Sequence, residues 1–271
     1  MDGLAHNTVR QIYQHSKCFI WMSTLNELNR YDGNSFITFR ANDDMNLSLA
    51  DSRTRTLIED NNGFLWISTT AELISCYDLK RDCFVDFTGC GEYLQKYAYI
   101  TVLPDAVWVW GRTQGCRRVT YANGVFSSEA FSVATGQLQS NNLQFLIPDS
   151  DNRIWIGTAQ GLYCWDNGEF SCLDSQHAFQ WMYNIEGHNF FLSSRGEIWQ
   201  QQNKELKQVG TIPHIASGYD LPGQMPFRGK WIIFTATGAV SFDPQTHALE
   251  RATSQLDIPR GETLKDNHDN Y

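Results

Sequence analysis

Short apolar runs alternate with polar turns along the chain, and one kind of run recurs through most of its length. In this run a tryptophan stands among apolar residues; the strongest copies are Ile20–Thr24, Leu65–Thr69, Val107–Gly111 and Ile154–Thr158. Weaker copies occur at Asn189–Ser193 and Trp231–Thr235. The six central residues, which we call the anchors, are Trp21, Trp66, Trp108, Trp155, Phe190 and Trp231. The anchors stand 35 to 47 residues apart, a spacing typical of propeller blades.

The segments around the anchors predict four short strands per repeat. Upstream, Thr56–Gly63 and Phe145–Asn152 have the pattern of an apolar strand that ends in a polar turn. Downstream, Asp32–Gly33, Asn123–Gly124 and Asn167–Gly168 indicate tight hairpins, because Asn and Gly tolerate the positive φ that such turns require. We therefore predict an all-β fold, a β-propeller of four-stranded antiparallel blades, with six recognisable repeats and a seventh truncated.

The repeats also predict the blade boundaries. A single propeller domain is expected over residues 1–271, with approximate blades at 4–40, 52–88, 97–131, 142–173, 179–210 and 224–252. Residues 263–270 resemble 56–63, so 262–271 are expected to start a seventh blade that lacks its tryptophan strand. The anchors are expected to fill the wedge between blades and to carry no chemistry. The sixth repeat leaves two registers open for Trp231, one position apart.

Composition narrows the classes of partner. Acidic residues number 30 against 21 basic ones, for a net charge of −9, which disfavours nucleic acid as a partner of this segment. No stretch approaches the roughly 20 apolar residues of a membrane helix, and the N-terminus has no signal-peptide pattern. We expect no membrane insertion by this segment.

Reactive and metal-binding motifs are not recognisable. The seven cysteines (18, 76, 83, 90, 116, 164 and 172) include no CxxC pair, so mostly free thiols are expected. Asp149–Arg153 resembles the start of a calcium loop, but Ile154 and Gln160 stand where that loop needs Gly and Glu. A hairpin turn is the preferred interpretation. We expect no catalytic residue, no metal site and no cofactor.

Candidate ligand-binding residues come from the loops between the second and third strands, where propellers commonly bind ligands. They are Asn26, Glu72, Arg112, Gln114, Gln160 and Arg195. Their amide and charged groups suit sugar hydroxyls, and ordinary solvated turns are the alternative. Trp181 and Tyr183, on a predicted first strand, either offer a stacking surface or pack inside.

Five segments resemble the two-component-regulator propeller repeats of hybrid sensor kinases: Gly3–Val9, Phe19–Thr24, Leu28–Gly33, Glu59–Thr69 and Asp151–Tyr163. The resemblance implies the N-terminal part of the ligand-sensing propeller region of a Bacteroidetes hybrid two-component system. Such receptors detect an oligosaccharide and control transcription of the genes for its use. The resemblance also implies a periplasmic location within an inner-membrane receptor, a homodimer through the full-length receptor, and no enzymatic activity of this segment. A non-catalytic scaffold for protein–protein interaction is the alternative, and a propeller lyase or glycosidase is a third hypothesis.

Overall fold

Six four-stranded antiparallel sheets make up the fold. The structure is a computed structural model that describes residues 3–4, 8–15, 19–41, 48–85, 94 and 96–252. In every sheet the spatial order of the strands is their order along the chain, so each sheet is a simple meander. The predicted propeller of four-stranded blades is confirmed. The expected start of a seventh blade, at 262–271, lies outside the described residues.

The strands of the first three sheets are β1 (Val9–Gln14), β2 (Ile20–Thr24), β3 (Leu28–Tyr31), β4 (Phe36–Phe39), β5 (Thr54–Glu59), β6 (Phe64–Thr69), β7 (Ile74–Asp78), β8 (Cys83–Phe84), β9 (Tyr99–Val102), β10 (Val107–Trp110), β11 (Cys116–Ala122) and β12 (Val125–Phe131). Those of the last three are β13 (Leu143–Pro148), β14 (Ile154–Thr158), β15 (Leu162–Asp166), β16 (Glu169–Asp174), β17 (Phe179–Ile185), β18 (His188–Ser193), β19 (Glu197–Gln202), β20 (Glu205–Thr211), β21 (Gly223–Phe227), β22 (Lys230–Thr235), β23 (Gly238–Phe242) and β24 (Leu249–Arg251). Among the described residues, no helix is long and apolar enough to cross a membrane.

The core lies between neighbouring sheets, and the anchors fill it. Every residue of β6 and of β14 is buried, because sheets cover these second strands on both faces. Trp66 packs with Val107 and Val109 of the next sheet, and the Trp155 ring lies 4.9 Å from that of Phe191. Trp66 and Trp155 therefore fill the space between neighbouring sheets.

The sixth anchor faces the other way. Trp231 is fully buried, but it packs in the cluster that holds Phe190 and Tyr183 of the preceding sheet. Successive strand residues point to opposite faces, so a slip of one position reverses the direction of a side chain. Of the two registers that the sequence left open, the structure selects the shifted one, and Ile232 has the orientation that an anchor has elsewhere.

The residue paired with the anchor tryptophan alternates from sheet to sheet. It is an arginine in the first and third sheets and a cysteine in the second and fourth; the pairs are Trp21–Arg30, Trp108–Arg118, Trp66–Cys76 and Trp155–Cys164. In the two cysteine sheets the indole N–H donates to a carboxylate, Asp60 at 2.9 Å and Asp149 at 2.8 Å. The indole N–H groups of Trp21 and Trp108 have no hydrogen-bond partner in the described part of the chain. The first four sheets thus repeat with a period of two.

The first strands of the sheets lie side by side in the centre. β1 contacts β5, β5 contacts β9, and β13 contacts β17. The Gln11 side chain bridges the first two sheets, donating to the Leu57 carbonyl and accepting from the Leu57 N–H. Between the third and fourth sheets, the Thr101 hydroxyl donates to the Leu146 carbonyl at 3.0 Å. These contacts place the first strands innermost, as in a propeller.

Candidate functional site

The loops between second and third strands share one end of the fold, because every sheet repeats the same meander from an inner first strand. We call this end the loop face; its loops are 25–27, 70–73, 111–115, 159–161, 194–196 and 236–237. We call the opposite end the hairpin face; it carries the turns that join first to second and third to fourth strands. All six candidate ligand-binding residues lie on the loop face.

A repeated backbone hydrogen bond fixes the loops. In four sheets the residue at the start of the loop donates its N–H to a carbonyl in the connection that precedes the sheet; the pairs are Thr70–Arg53, Ala159–Asn142, Ser194–Ala178 and Ala236–Asp220, at 2.7 to 3.0 Å. Each loop is therefore tied to the connection beside it. The side chains can differ without disturbing this framework.

The candidate side chains differ in exposure. Asn26, Arg112, Gln160 and Arg195 are exposed, whereas Glu72 and Gln114 are half-buried. Within the described residues, none of these six side chains takes part in a hydrogen bond or an ion pair. Two guanidinium groups, one carboxylate and three amides are thus free to bind a ligand. That they form one binding site stays a prediction.

A histidine on the loop face was missed by the sequence analysis. His177, in the connection between β16 and β17, places its Nδ1 atom 2.8 Å from Oδ2 of Asp174, and its ring lies 5.1 Å from that of Trp199. Burial raises the pKa of Asp174, but hydrogen bonds from His177 and Gln176 bring it below the usual value. The sequence signal is only a histidine three residues after an aspartate, which is too common to single out.

The two aromatic candidates pack inside. Trp181 and Tyr183 lie on β17, the first strand of the fifth sheet, and are half-buried against the cluster of Phe190 and Trp231. Of the two alternatives that the sequence left open, the structure therefore supports internal packing.

On the hairpin face, Asp149 is a structural centre. Its Oδ2 atom accepts from the Trp155 indole at 2.8 Å, from Asn189 of the next sheet at 3.1 Å and from Arg153 at 2.8 Å. Its Oδ1 atom accepts the Asp151 and Arg153 N–H groups. Burial raises the pKa of Asp149, and the side-chain donors more than reverse this, so the pKa lies below its usual value. Residues 149–153 form the turn between the paired strands β13 and β14, which confirms the hairpin-turn interpretation of this segment.

Two clefts open on the hairpin face between neighbouring sheets. One, of about 320 Å³, lies between the fourth and fifth sheets. It is lined by Trp155, Cys164 and Leu173 and by the charged side chains of Glu169 and Lys204. The other, of about 350 Å³, lies between the second and third sheets against Phe64, Tyr121 and Phe126. The sequence analysis pointed only to the loop face, and the clefts could not be read from the repeats.

Two of the buried thiols, Cys116 and Cys164, are poorly suited to nucleophilic chemistry. Cys76, Cys83, Cys116, Cys164 and Cys172 are all free, as predicted, while Cys18 and Cys90 lie outside the described residues. Burial raises the pKa of Cys116 and raises that of Cys164 to about 12. These two thiols are therefore protonated at neutral pH, and the reactive form is the thiolate. In the described ranges, no three His, Cys, Asp or Glu residues form a group that could hold a metal ion.

Comparison with known families gives one match. The profile described as "two component regulator propeller" matches residues 48–71 and 137–160. These matches cover β5–β6 and β13–β14, the strands of the two sheets in which an aspartate binds the anchor indole. No curated protein matches the chain.

Solved structures resemble the whole fold. The extracellular domain of the one-component system BT4673 from B. thetaiotaomicron is 17% identical with a TM-score of 0.62, and the similarity covers 98% of this chain and 37% of that one. The extracellular domain of the hybrid two-component system BT3049 from the same organism is 19% identical with a TM-score of 0.60, covering 97% of this chain and 36% of that one. PorZ, a surface component of the type-IX secretion system of Porphyromonas gingivalis, is 13% identical with a TM-score of 0.55, covering 89% and 39%.

The chain spans little more than a third of the length of these structures. At these identities the similarity establishes the fold. The chain is therefore a β-propeller, and its segments 48–71 and 137–160 match the two-component regulator propeller repeat.

Proposed function

We propose that this chain is part of the ligand-sensing propeller region of a hybrid two-component sensor kinase and that it binds an oligosaccharide on its loop face. The observation that carries the proposal is the pair of profile matches at 48–71 and 137–160. Support comes from the fold shared with an extracellular domain of a hybrid two-component system and from the unpaired polar side chains of the loop face.

In this proposal the chain faces the periplasm and does not catalyse a reaction. Ligand binding is relayed by rigid-body rearrangement within a dimer of the full-length receptor. The output is transcription of the genes that use the glycan. Deleting the gene should then abolish induction of those genes by the glycan, and normal induction in the deletion strain would contradict the signalling role.

The binding step can be tested by thermal unfolding of the full chain with a panel of plant and host oligosaccharides. A ligand at a hundred times its Kd stabilises the folded state by about 2.7 kcal/mol. For a chain of this size this raises the Tm by roughly 5 °C. We expect one structural class of oligosaccharide to produce such a shift and to be recovered uncleaved.

Matched variants locate the site. Replacing Arg112 and Arg195 on the loop face with alanine should weaken binding, because both guanidinium groups are exposed and unpaired. The control is Arg81, whose side chain is 77% exposed on the hairpin face. The variant Arg81→Ala should bind the oligosaccharide normally. A panel without any Tm shift, together with stoichiometric capture of one protein, would support the scaffold alternative; cleavage of the glycan would support an enzyme.

A further inference from the structure

An exposed aromatic ring lies on the loop face, in addition to the six polar side chains described above. Tyr219 is 97% exposed, and it lies in the connection between β20 and β21. Few other large apolar side chains of the described residues are exposed, and they are aliphatic: Ile12, Ile37, Val125 and Val133. Packing inside the fold does not explain this ring.

The turn that carries Tyr219 is held rigidly. It is a single 3-10 turn, Gly218–Asp220. The Asp220 carboxylate accepts the N–H groups of Ala216 and Ser217, both at 3.0 Å, and the Asp220 N–H donates to the Ser217 carbonyl at 3.0 Å. The next residue, Leu221, is buried. The ring therefore extends from a fixed backbone, which lowers the entropic cost of binding through it.

The same connection contacts two loops of the loop face. On the fifth sheet, Gly196 lies against Ile215 so closely that a Cβ at this glycine would meet the Ile215 side chain at 2.9 Å. On the sixth, the Ala236 N–H donates to the Asp220 carbonyl at 3.0 Å. Tyr219 is thus held beside the loop that carries Arg195, one of the candidate ligand-binding residues.

We propose that Tyr219 binds the ligand by stacking its ring on the apolar face of a pyranose unit, while the neighbouring loops bind the hydroxyl groups. The inference rests on the proposed oligosaccharide binding. A tyrosine suits the task, because it offers a flat apolar surface and a polar hydroxyl with little rotamer entropy to lose. Trp181 and Tyr183 cannot supply this surface, since both pack in the core.

Titration calorimetry of the full chain with an oligosaccharide identified by the thermal panel tests the proposal. Tyr219→Ala should weaken binding about tenfold, whereas Tyr219→Phe keeps the ring and should stay within about twofold of the wild type. The control is Val125, which is 64% exposed on the hairpin face. The variant Val125→Ala should bind the oligosaccharide normally. All three variants should keep the wild-type Tm, since the replaced side chains are exposed.

A second readout reports on the ring itself. In protein labelled with 3-fluorotyrosine, the ¹⁹F resonance that disappears in Tyr219→Phe belongs to Tyr219 and should shift when the oligosaccharide is added. If Tyr219→Ala binds as tightly as the wild type, or if this resonance does not move, the stacking proposal fails while the proposed function stands. If the wild type binds no oligosaccharide of the panel, the proposed function fails and the stacking role fails with it.

Discussion

The carboxylate of Asp149 shows how one residue can join two blades. It accepts hydrogen bonds from the Trp155 indole of its own sheet and from Asn189 of the next. Asp60 holds Trp66 in the same way in the second sheet. A buried donor that loses its acceptor costs more than an ordinary hydrogen bond contributes, so we expect these two aspartates to be important for stability.

Removing the Asp149 carboxylate should destabilise the chain. Asp149→Ala leaves the buried Trp155 indole without its acceptor and removes one of the two acceptors of the Asn189 amide. We expect a loss of about 3 kcal/mol in the free energy of unfolding. Asp151→Ala, two residues away with a side chain 69% exposed, should change it by less than about 0.5 kcal/mol. Urea unfolding followed by tryptophan fluorescence measures both. Equal effects of the two substitutions would contradict the role assigned to Asp149.

The same carboxylate makes stability depend on pH. The pKa of Asp149 is lower in the folded chain than in the unfolded chain, where aspartate titrates near about 3.9. Its contribution is therefore fully present above about pH 4 and is lost as the pH falls through the folded-state value. The difference in unfolding free energy between the wild type and Asp149→Asn should shrink on acidification below pH 4. A difference that stays constant down to pH 2 would refute this assignment.

Thiol exposure gives a further test at the residue scale. Cys83 is exposed, whereas Cys76, Cys116 and Cys164 are buried. Brief alkylation with iodoacetamide at pH 8, read peptide by peptide with mass spectrometry, should label Cys83 in the folded chain. It should label the three buried thiols only after urea unfolding. Labelling of Cys116 in the folded chain would show that the third sheet is not packed as described.

At the scale of the elements, the recurrence of apolar runs and turn residues predicted most of the fold. Asn123–Gly124 and Asn167–Gly168 do form hairpins with positive φ. The hairpins at Glu186–Gly187 and Arg228–Gly229 use the same backbone geometry, but glutamate and arginine are not typical of such turns, so their sequences gave little signal. The direction of Trp231 depends on packing with the fifth sheet, which the strand pattern alone does not determine.

The alternation between arginine and cysteine is also an effect of packing. Arg30 has a side chain 7% exposed, and its guanidinium lies 5.5 Å from the Trp21 ring and 5.7 Å from that of Phe39. It binds Asp82 of the second sheet. Arg118 of the third sheet instead lies 4.9 Å from the ring of Trp165, which belongs to the fourth sheet. In the first sheet the arginine fills the space beside the anchor, whereas in the fourth sheet Cys164 stands at the equivalent position and lines a cleft.

Shortening Arg30 should therefore destabilise the contact between the first two sheets. Arg30→Ala is expected to lower the unfolding free energy by about 2 kcal/mol, and Arg30→Met, which keeps most of the packing, by less than half of that. The exposed Arg81→Ala serves as the control for loss of a positive charge. If Arg30→Met proved as harmful as Arg30→Ala, the ion pair with Asp82 rather than packing would be the main contribution.

At the scale of the whole molecule, the six sheets create two different ends. The loop face carries unpaired polar side chains and the exposed ring of Tyr219, whereas the hairpin face carries Asp60, Asp149 and two clefts. The repeats predicted which loops share a face, because every sheet has the same connectivity. They could not predict which side chains are exposed there: Trp181 was a stacking candidate and is packed, whereas Tyr219 lies in a connection outside the repeated segments and carried no signal.

Hydrogen exchange of the full chain, with and without the oligosaccharide found in the thermal panel, tests the central claim most directly. The account predicts that binding slows exchange in the loops at 70–73, 111–115, 159–161 and 194–196 and in the turn at 218–220. Exchange in the turns at 60–63, 149–153 and 203–204 should not change. Protection confined to those hairpin-face turns, or no protection anywhere, would contradict a sugar-binding site on the loop face.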